Sequence, residues 1–298
     1  MKGLTRLWRE RGWVSISATE YATLWHTHGG SVITHPDIVE RLAGLAGIPV
    51  RYLGWYSQDM LVAAVPCWGR YLALSKEGLK KHRQKGLFDL GNAEVILPAA
   101  PGAGAILRQR ARYLGEPNIR GFRGLGLQSE ALMLAREPEA LSKKFRYNQR
   151  RELRLLEESG GELRPIQDHS PEELAHIYAD LFQRRWQFSV PAAAHLPRVL
   201  ELMHPYMTGH VAYLEQVPVA IQVLYRVESP EWVSVEYING GVDPASRDFS
   251  PGSVLSYVNV LQAWAEARAL GKTLRYSFGR ADREYKERWC HKHAVYQV

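Results

Sequence analysis

The sequence predicts an α/β (α+β) chain in two tandem lobes, each with a mixed central sheet flanked by helices. Three observations predict it. From Trp232 to Phe278 the chain reads strand, Ser/Gly loop, capped helix, strand. A hairpin pattern occurs twice, as Val50-Arg-Tyr-Leu-Gly54 turning into Met60-Leu-Val-Ala-Ala64 and as Val211-Ala-Tyr-Leu-Glu215 turning into Pro218-Val-Ala-Ile-Gln-Val-Leu-Tyr225. In both halves helices precede the hairpin and more strand follows it. The boundary is placed after residue 136. Residues 1–136 form a degenerate N-terminal lobe, because they lack any strand–Ser/Gly loop–capped helix. Residues 137–298 carry the expected cofactor loop.

In order, Trp13 to Ser17 reads as a strand and Thr19 to His28 as a helix stopped by Gly29-Gly30. His35-Pro36-Asp37 opens a second helix over 37–46, and the hairpin 50–56/60–68 turns at Ser57-Gln-Asp59. Val95 to Leu97 reads as a strand between turns, residues 103–114 as helical, and Ala131 to Ala135 as a strand. Pro138 opens a long helix to Ser159, ended by Gly160-Gly161, with a strand from Leu163 to Ile166. Ser170 and Glu173 make a capping box for a helix reaching Phe188, and another helix covers 196–207. In the last helix Ser250 suits the N-cap, Pro251 the first turn and Gly271 the stop. Its apolar face is expected to run through Val254, Val258, Leu261, Ala265 and Ala269. Thr273 to Phe278 is a strand, and Gly279 to Trp289 a basic-aromatic hairpin.

At 298 residues and 46% apolar composition, the chain can bury one large core or two of ordinary size. No window approaches the apolar length of a spanning helix. Arg6, Arg9, Glu10 and Arg11 lack a following apolar run, which argues against a secretory signal. Two cysteines, Cys67 and Cys290, exclude a disulfide framework. Net charge +7 and an isoelectric point near 9.3 favour anionic partners: a nucleotide cofactor, an RNA or an acidic membrane leaflet. The eleven histidines, including His26, His28, His35, His291 and His293, lack the companion ligands of a metal site, so no metal is expected. Gly121 to Gly126 has glycine-loop spacing without a strand–helix context.

A strand that feeds a helix N-terminus across a Ser/Gly loop can hold an anion, since free N–H groups and the helix dipole point at it. Here that loop is Arg247-Asp-Phe-Ser250-Pro-Gly252. With a basic helix over 138–158, Arg184-Arg-Trp186, Val217-Pro-Val-Ala220, Ser250-Pro-Gly-Ser253 and Tyr285-Lys-x-x-Trp289, the C-terminal half resembles the FemAB-related branch of the GNAT acyltransferases. That family holds the pyrophosphate of coenzyme A on an Arg/Gln-x-x-Gly-x-Gly/Ala loop. Arg247 and Gly252 match its ends, whereas Ser250 replaces the first glycine. The whole chain, with Gly29-Gly-Ser-x-x-Thr-His-Pro-Asp37, further resembles the macrophage-inducible antimicrobial-peptide-resistance family of Gram-negative bacteria. The resemblance implies two GNAT-like lobes and an N-acyltransferase with acyl-CoA (acetyl-CoA) as co-substrate.

Acyl transfer to an amine needs a positioned donor, a base for the amine proton, and hydrogen-bond donors for the oxyanion. Arg247, Ser250, Gly252 and Ser253 are the candidate cofactor-binding residues; their plainer reading is a helix cap beside a surface arginine. Glu236, on the strand before the loop, is the candidate base. Strand alternation groups Ser234, Glu236 and Ile238 on one face, where burial raises a carboxyl pKa. Its plainer reading is a solvent-facing glutamate. Asp243 and Asp248 read as turn residues. The resemblance makes Tyr285 a candidate general acid, against simple packing on Trp289, and gives Lys286 of the aromatic-Lys-x-x-aromatic pattern a place near the transferred group. Phe145, Leu153 and Leu156 form a narrow apolar seam on the basic helix.

Two main readings compete. One is an enzyme moving an acyl or aminoacyl group onto an amine of a lipid, cell-wall precursor or peptide, with resistance to cationic peptides as the outcome. The other is a GNAT-like scaffold that binds anionic lipid, nucleotide or peptide without chemistry. A third makes aminoacyl-tRNA the donor. The expected place is cytoplasmic, peripheral to the inner membrane, without a DNA partner.

Overall fold

In the computed structural model, which describes residues 10–298, the two hairpins lie in separate sheets. Arg6 and Arg9 fall outside the described residues. The N-terminal sheet is antiparallel throughout, in the order β1 (Trp13–Ile16), β2 (Arg51–Ser57), β3 (Met60–Trp68), β4 (Tyr71–Leu72). α1 (Ala18–His28) begins at a capping box in which the Glu20 N–H donates to Ser17 Oγ at 3.1 Å and the Ser17 N–H to Glu20 Oε2 at 2.7 Å. α2 (Pro36–Ala46) starts with proline and stops at left-handed Gly47. A short α3 (Lys76–Lys81) follows β4.

The second sheet has seven strands in the order β13-β7-β12-β11-β10-β9-β8. These are β7 (Gly126–Ala135), β8 (Gly161–Pro165), β9 (His210–Leu214), β10 (Val217–Glu228), β11 (Trp232–Val242), β12 (Thr273–Arg280) and β13 (Cys290–Gln297). β7 lies between β12 and β13, so this sheet includes a strand that precedes residue 137. The β11–β12 pair is parallel; the others are antiparallel. Both hairpins turn on two adjacent left-handed residues, Gln58-Asp59 with φ 48° and 63°, and Glu215-Gln216 with φ 48° and 66°. Positive φ at both centres is the turn whose twist suits paired strands. The repeat therefore extends to turn geometry.

Helices cover both faces of the seven-stranded sheet. α4 (Lys143–Glu158) and α7 (Pro251–Ala269) lie on one. α5 (Pro171–Trp186) and α6 (Leu196–Met203) lie on the other, with the N-terminal lobe. The Ser170–Glu173 capping box forms as the sequence predicts. One apolar cluster runs from Trp25 and Leu42 through Leu181 and Leu200 to Val223 and Tyr225 of β10, so a shared core joins the lobes. A second cluster sits under α7, around Val235, Tyr257, Trp264 and Trp289. The Gly29–Asp37 motif serves that junction. Trp232 Nε1 donates to the Gly30 carbonyl at 2.8 Å, and Ser31 Oγ accepts from the Ile96 N–H at 3.0 Å. A methyl on Gly30 would lie 2.0 Å from Trp25 Nε1, which explains the glycine.

The structure differs from the sequence expectations in several elements. Residues 103–114 are not helical: β5 (Ala105–Ile106) pairs with β6 (Phe122–Arg123), and Leu114 exchanges hydrogen bonds with Tyr296. Partners distant in sequence satisfy this backbone, which local propensity does not register. Val95 makes one bridge, to Leu114, rather than a strand. Pro138–Ala140 is a separate 3-10 turn, and α4 is capped by Ser142, whose Oγ accepts from the Phe145 N–H at 3.2 Å. On α7, Ala265 and Ala269 are exposed; Leu255, Tyr257, Val260, Trp264 and Ala267 are buried with Val254. This helix is held by both the sheet and α4, so its buried stripe is broader and rotated from the expected one. The tail is a 3-10 turn, Glu284–Arg288, feeding β13.

Candidate active site

The parallel pairing of β11 and β12 ends at Glu236↔Ser277, although β11 runs on to Val242 and β12 to Arg280. Past that point β11 stays with β10 while β12 follows β7, and the sheet forks. A bulge reinforces the parting: Val223 faces Asn239 and Leu224 faces Tyr237, so Ile238 has no partner on β10. The opening lies at the carboxyl ends of parallel strands, where α/β sheets commonly bind ligands. A groove of about 490 Å³ occupies it, with Tyr237 and Phe278 at the fork. A methyl on Gly240 would come within 2.8 Å of the Tyr237 hydroxyl, so the missing side chain gives that ring its place.

The predicted cofactor loop forms one wall. Arg247, Ser250, Gly252 and Ser253 all line the groove. Ser250 is not the side-chain cap that the sequence suggests. It holds φ 48° and ψ 43°, and its side chain caps nothing. This is the left-handed conformation that glycine adopts most cheaply, here held by a serine. The Ser253 and Val254 N–H groups donate to the Ser250 carbonyl at 2.8 and 3.0 Å, and Pro251 has none to offer. Among the described residues the Gly252 N–H has no acceptor, which leaves a free donor at the helix start, the kind of group that can meet an anion. The Arg247 side chain is 87% exposed at the loop edge. Asp243 is the turn residue expected, accepting from the Ala245 N–H at 2.9 Å and from Arg184 Nη1 at 3.1 Å.

Of the three predicted catalytic residues, only Tyr285 lines the groove. Burial raises its hydroxyl above the usual tyrosine value. Lys286 is buried beside it, with Nζ donating to the Arg280 carbonyl at 2.8 Å and to Asp282 Oδ1 at 2.9 Å. Those bonds fasten the turn that presents Tyr285 and Arg288 to the groove. Glu236 faces the other side of the sheet, 2% exposed, where its Oε1 accepts from the Glu94 N–H at 2.8 Å. Burial and then the Glu94 charge push this carboxyl well above the ordinary range. Arg275 Nε donates to Glu94 Oε2 at 2.8 Å, completing a buried Glu236–Glu94–Arg275 group.

Other groove residues escape a reading of single motifs. Tyr237 is raised to about 12, by burial first and Tyr285 second, with Arg185 pulling the other way. Arg185, Arg288 and Trp289 share the lining. From α4 come Phe145, Gln149 and Glu152. Burial raises the Glu152 carboxyl, opposed by Arg151 and by a hydrogen bond from Gln149. Their spacing of four and three residues was the available signal: Phe145 and Leu156 mark the same inward stripe. Cys290 is buried, with its thiol raised to about 12, and does not line the groove.

The Mig-14 family model matches residues 35–298, and the chain belongs to that family. No curated protein sequence matches it. Among solved structures, FemX superposes with a TM-score of 0.56 at 11% identity, over 96% of this chain and 95% of that one. The C-terminal domain of an Agrobacterium fabrum protein described as a lysylphosphatidylglycerol synthetase gives 0.50 at 15%, over 94% and 90%. A tandem GNAT protein from the clavulanic acid biosynthesis pathway gives 0.45 at 10%, over 96% and 97%. At such identities the likeness is one of fold: a mixed sheet flanked by helices beside an antiparallel one, so that, unlike the mixed sheets expected in both lobes, only the seven-stranded sheet is mixed, in an arrangement like that of FemX.

Proposed function

For this member of the Mig-14 family, we propose a transferase of the GNAT/FemAB type that moves an acyl or aminoacyl group onto an amine within the forked groove. One observation carries the reading: an anion-directed loop, a proton donor and a half-buried carboxylate line the same opening in the sheet. The Gly252 N–H and Arg247 take a phosphate of the donor. The strand edges left unpaired where β11 and β12 part offer backbone hydrogen bonds to an extended donor arm. Glu152 takes the amine proton, since its raised carboxyl is better matched to that task than an ordinary surface glutamate. Tyr285 keeps its proton at neutral pH and gives it to the departing sulfur or oxygen. Glu236 and Lys286 act as positioning groups behind the groove.

Acyl-CoA is the favoured donor because the free Gly252 N–H and Arg247 suit a compact phosphate. Aminoacyl-tRNA is the second reading, favoured by the exposed cations Lys143, Lys144 and Arg150 on the helix that walls the groove. Acylation of an amine removes a positive charge or adds an apolar chain. On an envelope component at the inner membrane, or on the peptide itself, that chemistry would yield resistance to cationic peptides.

The test is calorimetry of the purified protein against coenzyme A and acetyl-CoA, with Arg247→Glu alongside. Micromolar binding that the reversal weakens at least about tenfold, or ~1.4 kcal/mol, supports the acyl-CoA enzyme. Absence of binding at millimolar ligand removes it. Salt-sensitive tRNA binding then selects the aminoacyl version, and neither ligand binding leaves the scaffold.

A further inference from the structure

A second hollow, of about 840 Å³, opens in the N-terminal lobe between α3 and residues 110–112, and it shares no lining residue with the groove. Lys80, Lys81, Arg83, Arg110 and Arg112 line it, against one acidic side chain, Glu77. The carboxyl end of α3 favours Lys80 and Lys81 through the helix dipole. That local effect does not account for Arg110 and Arg112, which come from a separate segment. Arg110 is fixed by its backbone: its N–H donates to the Arg70 carbonyl at 2.7 Å, and its carbonyl accepts from the Leu72 N–H at 3.0 Å. The two segments act on one point, Tyr71 of β4, which also lines the hollow. A hydrogen bond from Arg70 Nη2 at 2.9 Å, and then the charges of Arg110 and Lys81, hold the Tyr71 hydroxyl below the usual tyrosine range against the effect of burial.

Like charges gathered round one hollow repel unless an anion answers them. Arg112 is answered by Glu130 and, more loosely, by Glu77 at 4.0 Å. Lys80, Lys81, Arg83 and Arg110 are exposed and form no ion pair among the described residues. Neighbouring Lys76, by contrast, meets Asp89 at 3.3 Å. Four unanswered cations exceed what one carboxylate balances, and the guanidinium groups offer the paired N–H donors that phosphate oxygens accept two at a time. The volume lies in the range of pockets that enclose small ligands. We infer that this hollow is a binding site, separate from the transfer groove, for a compact phosphate ligand carrying two or more negative charges: a pyrophosphate or a phosphomonoester. Lys81 and Arg110 meet the phosphoryl group beside Tyr71, and Lys80 and Arg83 close on it from α3 and the turn that follows. Such a group can arrive on a soluble molecule or on a lipid headgroup. A mostly apolar hollow of about 420 Å³, around Leu79, Phe88 and Pro191, adjoins the site through Glu77 and Lys80 and is where a lipid chain would lie.

The test is calorimetry of the full chain with inorganic pyrophosphate, in an Arg247→Glu background that removes the arginine of the groove loop. Binding with a Kd below about 100 µM is expected. Lys81→Gln/Arg110→Gln should weaken it at least tenfold with an unchanged circular dichroism melt. Lys80→Gln/Arg83→Gln carries the same expectation and serves if the first variant does not fold. Arg123→Gln/Arg154→Gln removes the same charge from exposed positions elsewhere and should change the affinity less than twofold. No binding at millimolar pyrophosphate, full affinity in a folded cavity variant, or an equal loss in the Arg123/Arg154 variant would overturn the site. Flotation with phosphatidylcholine vesicles containing about one third phosphatidic acid tells the two sources apart. Vesicle binding that pyrophosphate competes away and the cavity variant lacks supports the site with a lipid occupant. Pyrophosphate binding without vesicle binding supports it with a soluble one. A tRNA bound through these cations when pyrophosphate is not would overturn the compact ligand in favour of RNA.

Discussion

Replacing Arg275 with methionine tests how the two lobes are held together and what the buried Glu236 is for. The Arg275 side chain is 13% exposed and that of Glu94 2%, with Nε donating to Glu94 Oε2 at 2.8 Å. Glu94 in turn gives its N–H to Glu236 Oε1 at 2.8 Å. Arg275→Met keeps much of the stem volume but leaves a carboxylate buried with no cation, directly beside a second carboxyl. Removing one partner of such a pair costs about 3–5 kcal/mol. With an unfolding entropy of about 2.1 cal/mol/K per residue over 298 residues, that lowers Tm by about 5–8 °C. Differential scanning calorimetry at pH 7.5 reads the shift. The companion is Glu94→Gln/Arg275→Met, in which no buried charge is stranded, and it should recover most of the loss. Coenzyme A affinity of the folded single variant should match the parent, because the group lies on the face of the sheet away from the groove. A single variant melting within a degree of the parent, or a double variant as unstable as the single one, would refute the argument.

Two further predictions concern protons. Tyr285→Phe should lower kcat by about 10²–10⁴-fold with little change in KM, measured in a transfer assay with the donor that calorimetry identifies; an unchanged kcat removes the tyrosine from the chemistry. Glu236 has its carboxyl raised by burial, so it stays protonated in the folded chain where the unfolded chain ionises. The stability this gives is complete below the unfolded value near 4.5 and is lost as pH rises through the folded value. Glu236→Gln should therefore melt like the parent near pH 4.5 and above it at pH 8, with transfer activity retained. A gap that widens toward acid, or loss of activity in a folded Gln variant, would count against this assignment.

Much of the fold was legible because its signals are local. The Ser170 capping box, the paired hairpins and Gly160 each act within a few residues of themselves. The run 103–114 was not legible, because its hydrogen bonds go to β6, Arg70 and Tyr296, partners that composition does not reveal. The site divides along the same line. The 247–253 loop announced itself by composition and lines the groove. Strand alternation placed Glu236 and Tyr237 on opposite faces, and they are. It gave no way to tell which face opens to solvent.

The sequence by itself determined most of the helices and strands, their order and the duplicated hairpin, since each follows from side-chain period and backbone preference. Tertiary structure alone decided which residues meet. Where β11 and β12 part, the Ile238 bulge and the competing partners β10 and β7 open a groove that no residue encodes alone. That opening brings α4, read as a run of charge, against the loop a hundred residues later, and leaves Glu236 behind the sheet. The physical reason is that pairing and packing are chosen by whole surfaces, and a side chain's chemistry depends on the face that remains open.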